Sequence, residues 1–170
     1  MISIISQTMM YFVVTGQQQV GGFAIFMKKS LHYELINKYN DTDGRLILIN
    51  VEINNTIFTL VCIFAPNCRS SRSSFFKKVS DQIQQHGIGI PIIGGDFNET
   101  PIDRKTSRSN QNNQPVSSFK NLIKSNKLVD IWRYLNGNIQ QYTWRRKDRS
   151  QASRIDLILI GTDCKFSRIL

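Results

Sequence analysis

A carboxylate and a carboxamide stand two residues apart at the end of a short apolar run, Ile92-Ile93-Gly94-Gly95-Asp96-Phe97-Asn98. Residues i and i+2 of an extended backbone point to one face, so Asp96 and Asn98 are predicted to project together from the end of a strand. A carboxylate can orient or deprotonate a water, and a carboxamide can hold a phosphate oxygen without adding charge repulsion. The alternative is a strand that simply ends in an Asx-type turn.

Two further strand ends carry polar side chains. Asn67 follows the apolar run Cys62-Ile63-Phe64-Ala65-Pro66, although a Pro-Asn pair is also ordinary turn chemistry. Asp156 begins the apolar run that ends at Ile160, and a carboxylate buried there needs a partner. Arg154, two residues earlier, can supply that partner in a purely structural salt bridge.

Basic residues are concentrated in the segment Trp144-Arg145-Arg146-Lys147-Asp148-Arg149. Arginine and lysine next to an aromatic ring suit a phosphate backbone, whereas a solvated basic turn is the simpler interpretation. The whole chain has 22 Lys and Arg against 12 Asp and Glu, a formal net charge of +10. This balance favours an anionic partner, and nucleic acid first.

Length and composition predict one ordinary globular domain of 170 residues, of which 41% are hydrophobic. No apolar run approaches the roughly 18 residues of a membrane-spanning helix, which argues against a membrane protein. The N-terminal residues lack the basic start of a signal peptide, and three cysteines without a CxxC pair fit a reduced protein. We therefore expect an intracellular protein, in the nucleus or the cytoplasm.

Hydrophobic periodicity and turn residues predict a mixed β-rich α/β domain in which strands and helices come in blocks. Short links between successive early strands predict antiparallel pairing. The predicted strands are Met10 to Thr15, Phe23 to Met27, Arg45 to Ile53, Thr56 to Phe64, Ile88 to Ile93, Tyr142 to Trp144 and Ile155 to Ile160. The predicted helices carry Phe75 to Ile83 after a cap at Ser73 or Ser74, Val116 to Ile123 after Pro115, and Leu128 to Leu135.

The motifs taken in order, Ala-Pro-Asn, Ile-Ile-Gly-Gly-Asp-Phe-Asn, Tyr-Thr-Trp and Ser-Arg-Ile-Asp, resemble the endonuclease/exonuclease/phosphatase superfamily. Within that superfamily the chain is most similar to the endonuclease domains of LINE-type non-LTR retrotransposons. The resemblance implies a deoxyribonuclease I-like, four-layer α/β (α+β) sandwich of two mainly antiparallel sheets with helices outside. Residues 1–170 would form a single, incomplete domain of this type, truncated at both ends.

The resemblance also implies a chemistry, the Mg2+-dependent hydrolysis of DNA phosphodiester bonds. Asp96 would orient or activate the attacking water, Asn98 would contact the scissile phosphate or the metal, and Asp156 would orient a catalytic histidine. The implied partners are DNA and the remainder of a retrotransposon polyprotein, including a reverse transcriptase. Together with the basic segment, the resemblance predicts six residues that bind the nucleic acid: Asn67, Thr143, Arg145, Arg146, Ser153 and Arg154.

The sequence departs from the family pattern at three functional positions. The family's metal-binding glutamate lies upstream of the strands matched here, whereas the first glutamate of this chain is Glu34, so no metal ligand is assigned. The family's final Ser-Asp-His follows the last strand, but the two histidines of this chain are His32 and His86. Phe64 replaces a tyrosine whose hydroxyl would reach the phosphate. We therefore expect catalysis by this chain to be impaired.

Other functions stay open at this point. The chain can be a non-catalytic nucleic-acid-binding remnant that uses its basic face, which predicts metal-independent, strongly salt-dependent binding. It can also be a non-functional truncated product whose missing edge strands leave backbone groups unpaired. A phosphoinositide phosphatase of the same superfamily fits the Ser-Arg-Ile-Asp and Ala-Pro-Asn motifs less well.

Overall fold

The computed structural model describes residues 9–14, 23–28, 30–99, 104–105 and 115–164. Its first half contains strands β1 to β6 and a long helix: β1 Met9–Val14, β2 Phe23–Lys28, β3 Glu34–Asn40, β4 Leu46–Ile53, β5 Thr56–Phe64, α1 Arg69–His86 and β6 Ile90–Asp96. Its second half contains shorter elements: β7 Arg104–Lys105, α2 Ser117–Ser125, β8 Leu128–Asp130, α3 Ile131–Asn136, β9 Trp144–Arg145, β10 Ala152–Ser153 and β11 Asp156–Gly161.

Six strands form the central sheet in the order β3-β4-β5-β6-β11-β8. The β4–β5 hairpin closes on Asn54 and Asn55, whose φ angles of 49° and 59° suit a two-residue hairpin turn. Helix α1 then carries the chain back so that β6 pairs with β5 in parallel, while the other pairs of this sheet are antiparallel. The carboxyl ends of β5 and β6 therefore lie side by side.

The main core lies between one face of this sheet and helices α1 and α2. Its centre is an aromatic cluster in which the Phe119 ring lies 5.1 Å from Phe76 and 5.7 Å from Phe97, measured between ring centroids. Helix α1 turns four apolar residues toward the sheet, and these are the ones that the periodicity predicted: Phe75, Phe76, Val79 and Ile83. Burial of this helical face fixes α1, the crossover between β5 and β6, against the sheet.

The opposite face of the sheet is covered by strands. Met27 of β2 packs on Ile47, Ile49 and Val51 of β4, and β2 pairs with β1 in a two-stranded antiparallel sheet. Strands β7, β10 and β9 form a separate three-stranded sheet. The architecture is therefore a mixed α/β fold with a central multi-stranded sheet and smaller second sheets, as predicted. No described helix is long and apolar enough to span a bilayer.

The structure corrects several predicted elements. Strand β3 was not predicted, because its side chains are mostly exposed and lack a regular apolar alternation. Helix α1 begins at Arg69, after Cys68 as the N-cap, rather than after Ser73 or Ser74. Leu128 to Asp130 is a strand paired with β11, and only the residues after it are helical, because edge pairing overrides the apolar pattern.

Candidate functional site

Three chain segments meet where β5 and β6 end and β11 begins. In the sheet register Asp96 lies opposite Asp156 on one side and Phe64 on the other. Two backbone hydrogen bonds of 2.8 Å continue this pairing past the strand ends, from Ala65 N–H to the Asp96 carbonyl and from Phe97 N–H to the Ile155 carbonyl. The two predicted catalytic carboxylates are thus brought together by strand register.

Gly95 makes this close approach of strands possible. Its φ of 136° is a conformation that residues with a side chain rarely adopt, and a Cβ built there lies 2.0 Å from the Ile63 carbonyl oxygen. Gly94, its neighbour, has an ordinary backbone and open space around the corresponding position. The first glycine of the motif is therefore dispensable for the backbone, and the second is required.

Asn98 ties the end of β6 to the end of β5. Its backbone N–H donates to Asp96 Oδ1 at 2.8 Å, and its side-chain amide donates to the Ala65 carbonyl at 2.8 Å. The residue has a left-handed φ of 47°, which asparagine tolerates better than most residues. The structure therefore has the Asx-type turn of the alternative interpretation, and the predicted extended arrangement of Asp96 and Asn98 is wrong. The turn nevertheless keeps the two side chains close, with the Asn98 amide nitrogen 3.5 Å from Asp96 Oδ2.

The pKa of Asp96 is raised above its ordinary value, mainly because the carboxyl group is partly buried. The Asn98 N–H opposes this shift, the charge of Asp156 adds to it, and the charge of Arg72 opposes it. Two like charges brought together by register and partly removed from water make the ionised form less stable. Asp96 is thus better suited to accept a proton than an exposed aspartate is.

Asp96→Asn is expected to stabilise the folded chain at neutral pH. A carboxyl whose folded pKa lies above its unfolded pKa destabilises the fold when ionised, and that penalty disappears as pH falls through the folded pKa. Because Asp96 is only partly buried, we expect a small rise in Tm at pH 7, on the order of 2 °C. Thermal unfolding from pH 7 to pH 3 should show the Tm values of Asp96→Asn and of the unmodified chain converging as the pH falls toward the ordinary aspartate pKa of 3.8. A difference in Tm that stays constant over this range would contradict the raised pKa of Asp96.

Asn67 lies in the exposed turn that follows β5, and a buried arginine holds this turn from beneath. Arg72 donates through Nη1 to the Asn67 carbonyl at 2.6 Å and to the Pro66 carbonyl at 3.4 Å. Its Nη2 lies 3.0 Å from Oε1 of Glu99, which is almost fully buried. Neither Arg72 nor Glu99 was predicted as a site residue. The only signal in the sequence was the glutamate directly after the Asp-Phe-Asn motif, which needs a cation nearby if it is buried.

Next to Asn67, the exposed thiol of Cys68 is more acidic than usual. The Ser70 hydroxyl, at 3.1 Å from the Cys68 sulfur, is the main cause that lowers its pKa to about 7. By contrast, burial raises the pKa of the Cys62 thiol to about 11. Alkylation near neutral pH therefore labels Cys68 in preference to Cys62, beside the turn that carries Asn67.

Thr143 supports the start of β11. Its hydroxyl oxygen accepts the backbone N–H groups of Ile155 and Asp156, each at 3.1 Å. Its own N–H donates to the Ser153 carbonyl at 3.1 Å, and Ser153 pairs with Trp144 between β10 and β9. Of the residues predicted to bind nucleic acid, Thr143 therefore fixes the backbone of Asp156, and Ser153 is hydrogen-bonded to Thr143.

Arg154 does not occupy an open binding surface, which corrects the sequence analysis. The residue is 2% exposed, and its guanidinium pairs with Asp130 through contacts of 2.6 and 3.3 Å. It also lies 5.0 Å from the centre of the Trp132 ring. The structural partner predicted for Arg154 was Asp156, but the strand pairing of β8 with β11 brings Asp130 to it instead.

Arg145 and Arg146 belong to an exposed hairpin formed by β9 and β10. The Arg145 guanidinium lies 5.0 Å from the centre of the Tyr142 ring, and Arg146 makes a 3.4 Å ion pair with Asp148. The turn is closed by a 2.9 Å bond from the Arg146 N–H to the Gln151 carbonyl. This hairpin presents a solvated cationic surface, with the Trp144 side chain also exposed.

The donor set at the site does not complete a magnesium centre. Among residues 24–28, 30–99 and 115–164, no three acidic, histidine or cysteine side chains are grouped in a way that could hold a metal ion. Asp96 also has Oδ1 committed to the Asn98 N–H. A site of two carboxylates that lacks, among the described residues, a third acidic, histidine or cysteine ligand fits a tightly held divalent cation poorly.

Comparison with known proteins gives one sequence relative and many structural ones. No protein-family model matches the chain. Over 144 residues it is 28% identical to the transposon TX1 uncharacterized 149 kDa protein of Xenopus laevis, an alignment that spans 83% of this chain and 11% of that protein. The chain therefore spans about a tenth of the length of this relative.

Three solved structures illustrate the fold. The AP endonuclease LMAP from Leishmania major gives a TM-score of 0.69 at 15% identity, covering 91% of this chain and 62% of its own. The endonuclease domain of TRAS1, a telomere-specific non-LTR retrotransposon, gives a TM-score of 0.62 at 15% identity, and the match covers 91% of this chain and 66% of that domain. D. rerio TDP2 complexed with a single-strand DNA product gives a TM-score of 0.64 at 16% identity, and the match covers 92% of this chain and 64% of TDP2.

This chain spans less than two thirds of the length of each of these three structures. A fourth similar structure is an endonuclease/exonuclease/phosphatase protein from Bacteroides vulgatus, with a TM-score of 0.64. The predicted fold is confirmed: this chain has the fold of the endonuclease/exonuclease/phosphatase proteins.

Proposed function

We propose that the chain is a retrotransposon-derived endonuclease-family domain that binds DNA and hydrolyses its phosphodiester bonds poorly on its own. The observation that carries this proposal is the register pairing of Asp96 with Asp156, beside Asn98 and the Asn67 turn. This arrangement places a carboxylate that can accept a proton from water beside the Asn98 amide, at the ends of two neighbouring strands. The fold and the transposon relative support the same class of protein.

DNA is the proposed partner because the chain is strongly basic and its exposed hairpin is cationic. The net charge is +10, and four of the hairpin's side chains, Arg145, Arg146, Lys147 and Arg149, are exposed and basic. Phosphate contacts of this kind supply affinity through counterion release. We also propose that the domain works as part of a transposon polyprotein, since it aligns with a small part of one.

Poor catalysis is proposed because a histidine is missing where Asp156 would need one. His86 ends the 18-residue helix α1, about 27 Å from the Cys68 end at which the site lies. His32 borders a cleft with Asn54 and Asn55, at the end of β5 opposite to Phe64. Loss of a single group that stabilises the transition state typically costs about 10²–10³ in rate.

A non-catalytic DNA-binding domain is the second candidate. It is favoured by the basic hairpin, whose cationic side chains are exposed whether or not the carboxylates take part in chemistry. In that case binding would depend on salt but neither on magnesium nor on Asp96.

Two assays on the purified chain test the proposal. Nicking of supercoiled plasmid is measured with magnesium or EDTA, and duplex binding is followed by fluorescence anisotropy over a salt series. We expect steeply salt-dependent binding, protection of Cys68 from alkylation when DNA is bound, and slow nicking that is lost in Asp96→Ala. Binding without any nicking or Cys68 protection would favour the second candidate. Fast nicking would overturn the proposed impairment, and absence of binding by the folded chain would overturn the function.

A further inference from the structure

We propose that Arg72, held by Glu99, is the positioning residue that fixes the Asn67 turn against the Asp96–Asn98 turn. This inference rests on the proposed function, because it assigns Arg72 to the geometry of the same DNA site. Arg72 lies in the first turns of α1, beneath the site rather than on its surface, and its side chain is 11% exposed. It therefore acts through other residues and is not itself a contact for DNA.

The guanidinium of Arg72 joins the two site turns. One nitrogen, Nη1, donates to the carbonyls of Pro66 and Asn67, which form the turn after β5. The other terminal nitrogen, Nη2, contacts Glu99, the residue directly after Asn98. A planar guanidinium offers donors in a rigid fork, so it can fix two chain segments at a set separation.

Glu99 extends the link to a third element. Its Oε1 contacts Arg72, while its Oε2 accepts the backbone N–H of Val116 at 3.0 Å, at the residue that caps helix α2. Its side chain is 1% exposed, so these partners take the place of water around the carboxylate. Helix α2 is thereby connected to the ends of β5 and β6 through a single buried ion pair.

The same guanidinium also affects Asp96 through space. Its positive charge lowers the pKa of Asp96, in opposition to burial and to the charge of Asp156. A change in Arg72 should therefore alter the titration of Asp96 as well as the geometry of Asn67. A residue that merely stabilised α1 would not have this effect.

Lys78 offers a matched control on the same helix. It pairs with Asp41 at 3.0 Å and with Asp43 at 2.8 Å, and so ties α1 to the turn between β3 and β4. Lys78→Met and Arg72→Met each remove one positive charge from α1, the first with two helix-to-loop ion pairs and the second with one. Only Arg72→Met removes the link between the two site turns.

The experiment compares Arg72→Met, Arg72→Lys, Glu99→Gln and Lys78→Met with the unmodified chain. Affinity for a short fluorescein-labelled DNA duplex is measured at fixed salt, and the Asp96 carboxyl is titrated by carbon-13 NMR. We expect both Arg72 variants and Glu99→Gln to lose about tenfold in affinity, and Lys78→Met to lose less than about twofold. Arg72→Met should also move the Asp96 titration to higher pH.

Equal losses of affinity in Arg72→Met and Lys78→Met, with an unchanged Asp96 titration, would overturn the inference. Full rescue by Arg72→Lys would show that charge alone matters and would also overturn it. If Arg72→Met fails to fold, Arg72→Lys and Glu99→Gln test the inference: each should lose about tenfold in affinity for the DNA duplex, and unchanged affinity in both would overturn it. If the unmodified chain binds no DNA, the proposed function fails, and the Asp96 titration by itself still decides the role of Arg72.

Discussion

Gly95→Ala is expected to destabilise the chain by about 3–5 kcal/mol, among the largest effects of a single methyl group. The new Cβ would lie 2.0 Å from the carbonyl oxygen of Ile63, and the backbone φ of 136° would itself be strained. Relief requires β6 to move away from β5, which breaks the parallel pairing that runs from Ile90 to Asp96. The same movement would displace Asp96 from Asp156.

Gly94→Ala provides the control for this prediction. A Cβ at Gly94 meets no atom within 4 Å, so this variant should keep the stability of the unmodified chain or gain a few tenths of a kcal/mol. Urea unfolding followed by circular dichroism compares the two variants under identical conditions. Equal stability of the two would mean that β6 does not approach β5 as the structure describes.

Asp130→Ala is the second change with a large expected effect, a loss of about 3–5 kcal/mol in the free energy of unfolding. The variant would leave the guanidinium of Arg154 buried without the carboxylate that lies 2.6 Å from it. It would also remove the side-chain cap that accepts the Arg133 N–H at the start of α3. The cost is large because the buried guanidinium loses the carboxylate that neutralises its charge.

Asp148→Ala is the matched control, because it breaks an arginine–aspartate pair that is exposed on both sides. Its unfolding curve should lie close to that of the unmodified chain, since exposed ion pairs contribute little. Chemical unfolding of both variants tests the buried role assigned to Arg154. A mild effect of Asp130→Ala would return Arg154 to the group of candidate DNA contacts.

Much of the fold was predictable because burial leaves a periodic signal in the sequence. The apolar residues of α1 and the β4–β5 hairpin, with its two asparagines, follow directly from spacing and turn chemistry. Strand β3 left no such signal, because an edge strand with exposed side chains is held by backbone hydrogen bonds to β4. Backbone pairing of this kind depends on a neighbouring strand that local sequence does not reveal.

The candidate site was predictable to the level of single residues, but not to the level of their partners. Asp96 and Asn98 could be identified because one short motif carries both. The Arg72–Glu99 pair joins a segment that precedes β6 in the sequence to one that follows it, and Arg154 pairs with Asp130 of β8. Each of these pairs depends on the tertiary fold, so sequence spacing offered Asp156 as the nearest carboxylate for Arg154.

The pairing of β6 with β11 also has a consequence for the order in which the molecule forms. Strands β4 and β5 are joined by a two-residue turn, so they can pair as soon as both have been synthesised. The pairing of β6 with β11 joins strands that are far apart in the sequence, so it forms only after β11 has been synthesised. Long-range pairings close last because their entropic cost is largest. During synthesis, Asp96 would therefore emerge with the early strands but gain its carboxylate neighbour only when β11 docks, so that the proposed chemistry is coupled to completion of folding.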